Sequence, residues 1–131
     1  MIKTGCINPS ILTSLAHCMH GDKVLITTGN FRFRKDTPAD VVYLGLQRNQ
    51  PTTLDVAKAL KDTINIEKIE LRALEEKTST HLALETLFSV TEFLYLQQNE
   101  FHHNADQDDV ALIIVTGGTE YASNILMTVD R

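Results

Sequence analysis

Apolar residues near the start of the chain recur with two spacings, which predict two kinds of element. At first they fall three and four residues apart, as on one face of a helix; these positions are Ile11, Leu12, Leu15, Ala16 and Met19. Asn8 and Pro9 before them are typical of a helix start, and Gly21 after them is typical of a helix end. The short apolar run at residues 23–28 then predicts a buried strand.

Helix and strand patterns continue to alternate towards the C-terminus. Further strands are predicted at residues 41–46, 66–74, 110–116 and 124–129, and further helices at 53–64 and 79–90. Residues 92–96 fit either a short strand or the end of a helix. Because no repeat or Pro/Gly linker divides the chain, this alternation predicts one layered α/β domain over residues 1–131.

Composition argues against several classes of function. The chain has 131 residues, of which 43% are hydrophobic, and a formal net charge of −5. This charge disfavours a nucleic acid or an anionic membrane surface as the main partner. No apolar stretch is long enough to span a bilayer, and the first residues lack the form of a secretion signal. Cys6 and Cys18 are too few for a disulfide framework, so we expect a cytoplasmic protein with reduced thiols.

The triplet His20-Gly21-Asp22 carries the most informative chemistry in the sequence. An imidazole with a reference pKa of about 6.5 can act as an acid or a base near neutral pH. At the end of the first predicted helix, the helix dipole favours the imidazolium form of His20, and Asp22 could orient its ring. The alternatives are a histidine that only caps the helix and an aspartate that only shapes a turn.

Histidines elsewhere suggest a metal site only weakly. His17 and His20 lie three residues apart on one predicted helical face, and His102, His103 and Asp106 could add ligands. Zinc needs three or four well-placed ligands, and the sequence does not fix the remaining ones. We therefore predict no metal site, and interpret His17 as a helix-surface residue and the His102-His103 pair as part of a solvated loop.

Two further features are compatible with phosphate. Gly117-Gly118-Thr119 follows the strongest predicted strand and could form an anion-binding nest. It lacks the lysine and the spacing of a nucleotide-binding loop. Arg32, Arg34 and Lys35 form a small basic cluster, which is more often a solvated loop. Together these features leave open the binding of a phosphate group.

Several short motifs follow one another in a characteristic order. They are Gly5-x-Ile7-Asn8, His20-Gly21-Asp22-Lys23, Pro51-x-x-x-Asp55-x-Ala57-x-x-Leu60, Ile66-Glu67-Lys68-Ile69, Glu85-x-Leu87-Phe88-Ser89, Thr116-Gly117 and Asn124-Ile125-Leu126. In this order they resemble the D-ribose pyranase and L-fucose mutarotase family nearly end to end. The resemblance implies a three-layer α/β/α subunit with a central mixed sheet that assembles into rings, typically a decamer of stacked pentamers. It also implies a sugar pocket between neighbouring subunits, with no metal and no organic cofactor.

The same resemblance implies roles for individual residues. His20 is expected to be the proton donor, with Asp22 orienting it. The expected sugar contacts are Thr28, Gln98, Tyr121 and Asn124. Thr28 and Gln98 stand where the family carries an aspartate and, in its ribose-type members, a histidine. The family pattern Tyr-x-Asn is one residue longer here, because Ala122 and Ser123 both lie between the tyrosine and the asparagine.

We therefore predict an isomerase that interconverts the ring forms or anomers of a free ribose- or fucose-like monosaccharide. Ring opening requires loss of the anomeric hydroxyl proton and protonation of the ring oxygen, for which one or two proton carriers are enough. Because Thr28 and Gln98 cannot titrate, His20 would carry nearly all of this chemistry. The main alternative is a catalytically weakened or inactive monosaccharide-binding protein on the same scaffold. A further alternative is an isomerase or binder of sugar phosphates, which would use the glycine-rich loop at residues 117–119 and the basic cluster at residues 32–35.

Overall fold

Six strands form one mixed sheet in the computed structural model, which describes residues 1–3 and 5–131. In chain order the elements are α1 (Pro9–Ala16), β1 (Lys23–Thr27), β2 (Asp40–Tyr43), α2 (Thr53–Lys61), β3 (Ile66–Arg72), α3 (Ser79–Leu87), β4 (Glu92–Leu96), α4 (Gln98–Ala105), β5 (Val110–Val115) and β6 (Ile125–Val129). The strand order is β2-β5-β1-β6-β3-β4. β6 runs antiparallel to β1 and β3, and the other neighbours are parallel. The predicted α/β class with a mixed sheet is confirmed.

The helices cover both faces of the sheet. Successive side chains of a strand point to opposite faces, and in β1 Val24 and Ile26 face one core while Leu25 faces the other. The first core also contains buried apolar residues of α1, α2 and α3, and the second contains Phe101 and Ala105 of α4. The result is three layers. Within the described part of the chain, no helix combines the length and apolar character that a bilayer-crossing segment needs.

The first helix is shorter than its apolar pattern predicts. Its start is as expected, because the Asn8 side chain accepts a hydrogen bond from the Ile11 amide at 3.0 Å. The helix ends at Ala16, however, and Met19 is 75% exposed rather than part of the apolar face. Gly21 lies in a later turn with a φ of +97°. His20 is therefore not at a helix terminus, and the expected effect of the helix dipole on it is wrong.

Two predictions between residues 92 and 105 are settled by the structure. The ambiguous segment at 92–96 is the edge strand β4, parallel to β3. The supposed loop around His102 and His103 is wrong, because both residues belong to α4. This helix is largely polar, and only Phe101 and Ala105 are buried.

A buried ion pair helps to fix α4 against the sheet. The Glu70 carboxylate on β3 is 2% exposed and lies 3.2 Å from the Lys23 ammonium on β1. Its other oxygen accepts a hydrogen bond from the Asn104 side chain of α4 at 2.8 Å. Because a buried charge needs partners, these contacts restrict where α4 can pack.

Candidate functional site

The predicted site residues lie at two opposite edges of the sheet. His20 precedes β1 at what we call the N-terminal edge, where β6 ends and β3 begins. Thr28 follows β1 at the C-terminal edge, where β6 begins and where β3 and β4 end. Gln98, Tyr121 and Asn124 also belong to the C-terminal edge. β1 has five residues, so at about 3.3 Å per residue the edges are at least about 13 Å apart. A single chain therefore does not bring His20 to the predicted sugar contacts.

His20 is held by an acid that the sequence analysis did not assign to it. Its Nε2 lies 3.1 Å from a carboxylate oxygen of Glu67, near the start of β3. Asp130, just after β6, is 3.8 Å from the same nitrogen. An ionised carboxylate can only accept a hydrogen bond, so Nε2 carries the proton in this contact. Nδ1 makes no hydrogen bond within the described residues.

Asp22 closes the turn that carries His20 and does not contact its ring. The Asp22 carboxylate accepts a hydrogen bond from the Met19 amide at 2.9 Å, and the Asp22 amide donates to the Met19 carbonyl at 3.0 Å. The Gly21 amide donates to the Val129 carbonyl at 3.0 Å, which ties this turn to the end of β6. In this geometry Glu67, rather than Asp22, orients the imidazole.

At the C-terminal edge, Thr28 and Asn124 contact each other directly. The Thr28 amide donates to Oδ1 of Asn124 at 2.8 Å, and the Thr28 hydroxyl donates to the Asn30 side chain at 3.1 Å. Thr28 is buried, with 6% of its surface exposed. The amide nitrogen of the Asn124 side chain has no partner within the described residues, so it can donate to a ligand.

Gln98 and Tyr121 are linked through a third residue. Nη2 of Arg72, at the end of β3, donates to the side-chain oxygen of Gln98 at 3.2 Å. The guanidinium carbon of Arg72 lies 5.0 Å from the centre of the Tyr121 ring, which is within the range of a cation–π contact. Tyr121 and Gln98 are both exposed. Sequence reasoning missed Arg72, because only the pairing of β3 with β4 brings it to this edge.

The glycine-rich loop after β5 lines a cleft of about 580 Å³ at the same edge, together with Gly29, Asn30 and Gly45. The backbone amides of residues 117–119 already donate hydrogen bonds within the chain. Those of Gly117 and Gly118 donate to the Pro51 carbonyl and to the Thr116 hydroxyl. The amide of Thr119 donates to the Asn49 side chain at 3.1 Å. The anion-binding nest that the sequence left open is therefore not formed, because the amides of residues 117–119 already donate within the chain.

The basic cluster that was considered for phosphate contains a neutralised arginine. Arg34 lies 2.5 Å from the Asp108 carboxylate and 3.8 Å from that of Asp36. These ion pairs place Arg34 in a charge network with the turn before β5. They weaken the case for a phosphate site at this cluster.

Potential metal ligands gather at one place in the described part of the chain, and it is not where the histidine spacing suggested. His20, Glu67 and Asp130 each offer an atom within 4.8 Å of the others. His17 instead makes a local contact, with Nδ1 2.9 Å from the Thr13 carbonyl. His102 stacks on Phe31, with the ring centres 5.0 Å apart. Within this exposed cluster, His20 and Glu67 are already joined by a hydrogen bond.

The structure also reveals a buried histidine beside the Tyr121 loop. His81, on α3, has no exposed surface, and neither ring nitrogen makes a well-aligned hydrogen bond within the described chain, although the Ala122 backbone lies close to the ring. Burial lowers the pKa of His81, and this effect exceeds the opposing influence of the Ala122 backbone and the Glu120 carboxylate. No sequence signal marked this residue, because a histidine within an apolar helical pattern is equally compatible with an exposed position.

An α/β domain whose polar residues gather where the strands end is a scaffold for binding small molecules. The chain belongs to the RbsD / FucU transport protein family, which it matches over residues 1–130. It is 30% identical over 128 residues to a D-ribose pyranase from Kosmotoga olearia, with 96% of each chain covered.

Solved structures agree with this assignment. The structure of Bacillus subtilis RbsD complexed with D-ribose matches with a TM-score of 0.89 and 26% identity, covering 100% of this chain and 98% of that one. The fucose mutarotase in complex with L-fucose from Streptococcus pneumoniae matches with a TM-score of 0.71 and covers 95% of this chain and 94% of that one. At 14% identity, the second match shows a common fold.

Proposed function

We propose that this protein is a mutarotase or pyranase that interconverts the ring forms or anomers of a free monosaccharide. The relationship to a D-ribose pyranase supports the class of reaction. The observation that carries the proposal is the state of His20, which is about half exposed, with one ring nitrogen held by Glu67 and the other without a partner in the described chain. An oriented and accessible imidazole is what acid/base ring opening requires.

In the proposed mechanism, protonated Nδ1 of His20 donates its proton to the ring oxygen while the bond between that oxygen and the anomeric carbon breaks. The anomeric hydroxyl loses its proton to water, so the product is the open-chain aldehyde. Reclosure through the same hydroxyl gives the other anomer, and reclosure through a different hydroxyl gives the other ring size. Glu67 keeps the ring oriented throughout by accepting the Nε2 hydrogen bond. Asp22 contributes through the turn that presents His20.

The pocket in this proposal lies between two copies of the chain. Thr28, Gln98, Tyr121 and Asn124 bind the sugar at the C-terminal edge of one copy. A neighbouring copy supplies His20 from its N-terminal edge. The separation of the two edges within one chain supports this arrangement, because β1 lies between them. A closed ring of subunits satisfies the head-to-tail contact, and we propose a decamer of stacked pentamers on the basis of the sequence resemblance.

NMR exchange spectroscopy on D-ribose and L-fucose tests the proposal. We expect the wild-type protein to accelerate exchange between ring forms, and the His20→Ala variant to lose about 10²–10⁴-fold of that rate. His17→Ala is the matched control, because it removes a neighbouring exposed histidine whose ring bonds the Thr13 carbonyl of its own helix. Binding of the sugars without faster exchange would instead support the alternative, an inactive sugar-binding protein. Full activity of His20→Ala would exclude His20 as the proton donor.

A further inference from the structure

The Tyr121 loop runs from Glu120 to Asn124, and Tyr121 and Asn124 are two of the four proposed sugar contacts. Tyr121 is 58% exposed, whereas Ser123, two residues later, is buried. The Ser123 hydroxyl donates to the Glu120 carbonyl at 2.9 Å, which closes a tight turn. Within this turn Ala122 has a φ of +56°, in the left-handed region that alanine rarely adopts. Such a backbone conformation persists only where its surroundings hold it.

Helix α3 supplies two buried side chains beneath this loop. The Thr80 hydroxyl donates to the Glu120 carboxylate at 2.7 Å. His81, the next residue, has no exposed surface, and its ring lies beside the Ala122 backbone. Tyr95 of β4 packs edge-on against the same ring, with the ring centres 6.0 Å apart. Because Thr80 and His81 are enclosed by their own chain, these contacts do not depend on a neighbouring copy.

The imidazole of His81 has one polar neighbour that explains its burial. Buried polar groups are almost always paired, and a neutral imidazole has one N–H to donate. The Ala122 backbone favours the protonated ring, as a carbonyl acceptor does. The Ala122 carbonyl is therefore the acceptor for a ring N–H of His81, although the contact is not well aligned in the structure. This contact falls on the strained residue of the loop.

We propose that His81 and Thr80 are positioning residues that hold the Tyr121 loop in the form that binds the sugar. The inference rests on the proposed function, because that proposal places two sugar contacts on this loop. His81 supports the left-handed turn at Ala122, and Thr80 anchors the start of the loop. Both act through the loop without touching the sugar. They should therefore set the affinity for the sugar, while the proton chemistry remains with His20.

The groups around His81 make this support sensitive to pH. The charged and titratable groups that face the ring come from the loop, from α3 and the turn before it, and from β4, and they are Glu120, Glu85, Lys77 and Tyr95. Burial lowers the pKa of His81, because a charged ring in this enclosed position needs a partner. Each carboxylate already binds another side chain and would have to give up that bond to reach the ring. We therefore expect the loop to loosen as the pH falls below about 6.5.

Hydrogen exchange measured by mass spectrometry on the assembled protein without sugar tests the positioning role directly. Peptides that contain the Thr28 amide report on the loop, because this amide donates to the Asn124 side chain. We expect His81→Leu to raise exchange in these peptides and in the loop by about tenfold or more at pH 7, and Thr80→Val to raise it less. His17→Leu, at an exposed position, is the control and should match the wild type.

Two further variants distinguish a hydrogen-bonding role of His81 from simple filling of space. His81→Asn and His81→Gln each place an amide N–H near the position of one ring nitrogen. At least one of them should keep more of the protection than His81→Leu does. Protection that is equal in the wild type, His81→Leu and Thr80→Val would overturn the inference.

Titration calorimetry with D-ribose and L-fucose connects the loop to sugar binding. His81→Leu should bind about threefold to tenfold more weakly than the wild type at pH 7. The rate of ring exchange at saturating sugar, measured by NMR, should stay unchanged. The affinity of the wild type should fall between pH 7 and pH 5, and it should fall less in His81→Gln, because an amide does not titrate in this range. Thr80→Val should weaken binding at both pH values.

The combined readouts separate this inference from the proposed function. A wild-type protein that neither binds nor interconverts sugars would overturn both proposals. A wild-type protein that does both, with His81→Leu and Thr80→Val equal to it in affinity, would overturn only the positioning role. A loss of loop protection in these variants without any loss of affinity would have the same meaning.

Discussion

Nε2 of His20 lies 3.1 Å from Oε2 of Glu67, although 47 residues separate the two in sequence. The contact exists because β6 lies between β1 and β3 in the sheet, so that the starts of β1 and β3 meet at one edge. The other imidazole nitrogen, Nδ1, has no hydrogen-bond partner within the part of the chain that the structure describes. Glu67 therefore becomes the residue whose substitution best tests how His20 is positioned.

Glu67→Gln is expected to lower the rate of ring exchange about tenfold to a hundredfold, which is less than the loss on removing His20 itself. A neutral amide can still reach His20, but it no longer requires the proton to be on Nε2. The same variant should change the pH profile of the reaction, which a purely structural role would not do. Asp22→Asn should retain most activity, because the side-chain oxygen of an asparagine can accept the same hydrogen bond from the Met19 amide. A larger loss in Asp22→Asn than in Glu67→Gln would contradict this assignment.

A pocket shared between copies predicts that two inactive variants restore activity when they are mixed. His20→Ala disables one edge, and the double variant Gln98→Ala/Tyr121→Ala disables the other. After co-refolding at equal amounts, about one quarter of the junctions in a ring combine two intact edges, so about one quarter of the activity should return. Mixtures that stay inactive, although light scattering shows mixed assemblies, would place the whole site within one chain.

His81 predicts that the protein loses stability as the pH falls. Its pKa is lowered in the folded state by burial, so below the reference value of about 6.5 the unfolded chain binds the proton more readily. The carboxylates of Glu120 and Glu85 favour the protonated ring, while Lys77 and burial oppose it. The temperature of unfolding should therefore decrease between pH 7 and pH 5, a range set about this reference pKa.

Replacing His81 tests that account. His81→Leu should flatten the dependence of the unfolding temperature on pH, because the apolar side chain cannot bind a proton. His17→Leu, at an exposed position, should leave the dependence as it is in the wild type. A slope that is equal in the wild type and in His81→Leu would show that other groups cause the pH effect.

Alanine substitutions at two glycines distinguish the stability cost of steric crowding from that of backbone strain. A Cβ at Gly117 would lie 2.3 Å from the Gln47 carbonyl oxygen, so Gly117→Ala must displace the loop before α2. We expect a loss of about 3 kcal/mol or more in the free energy of unfolding. Gly21→Ala meets no atom within 4 Å, but its φ of +97° is unfavourable for alanine. A smaller loss of about 1–2 kcal/mol is expected. Denaturant unfolding measures both, and equal losses would contradict the crowding at Gly117.

The apolar patterns in the sequence predicted most of the helices and strands. They failed where contacts between distant residues determine whether an element forms. The buried strands β1 and β5 were predictable because they are short apolar runs. α4 was not, because its two buried residues, Phe101 and Ala105, form only one turn of an apolar stripe. The contact of Asn104 with the buried Glu70 fixes this helix, and the sequence gives no sign of that pairing.

The candidate site shows the same division. His20 was found from its place between a helix and a strand, and Asp22 was expected to orient it because the two are close in sequence. In the folded chain the Asp22 carboxylate binds the Met19 amide three residues away, and Glu67 reaches His20 from another strand. Arg72 was missed for a related reason. Its contacts with Gln98 and Tyr121 depend on which strands are neighbours, and periodicity does not encode strand order.

The five-residue length of β1 has a consequence for how the protein behaves on dilution. A strand of this length keeps the two edges of one subunit apart. In the proposed arrangement, an isolated and correctly folded subunit therefore has no complete site and is inactive. The specific activity per chain should then fall once the protein concentration drops below the dissociation constant of the assembly. Control of subunit concentration would thereby control turnover, without an effector molecule and without any change in the fold.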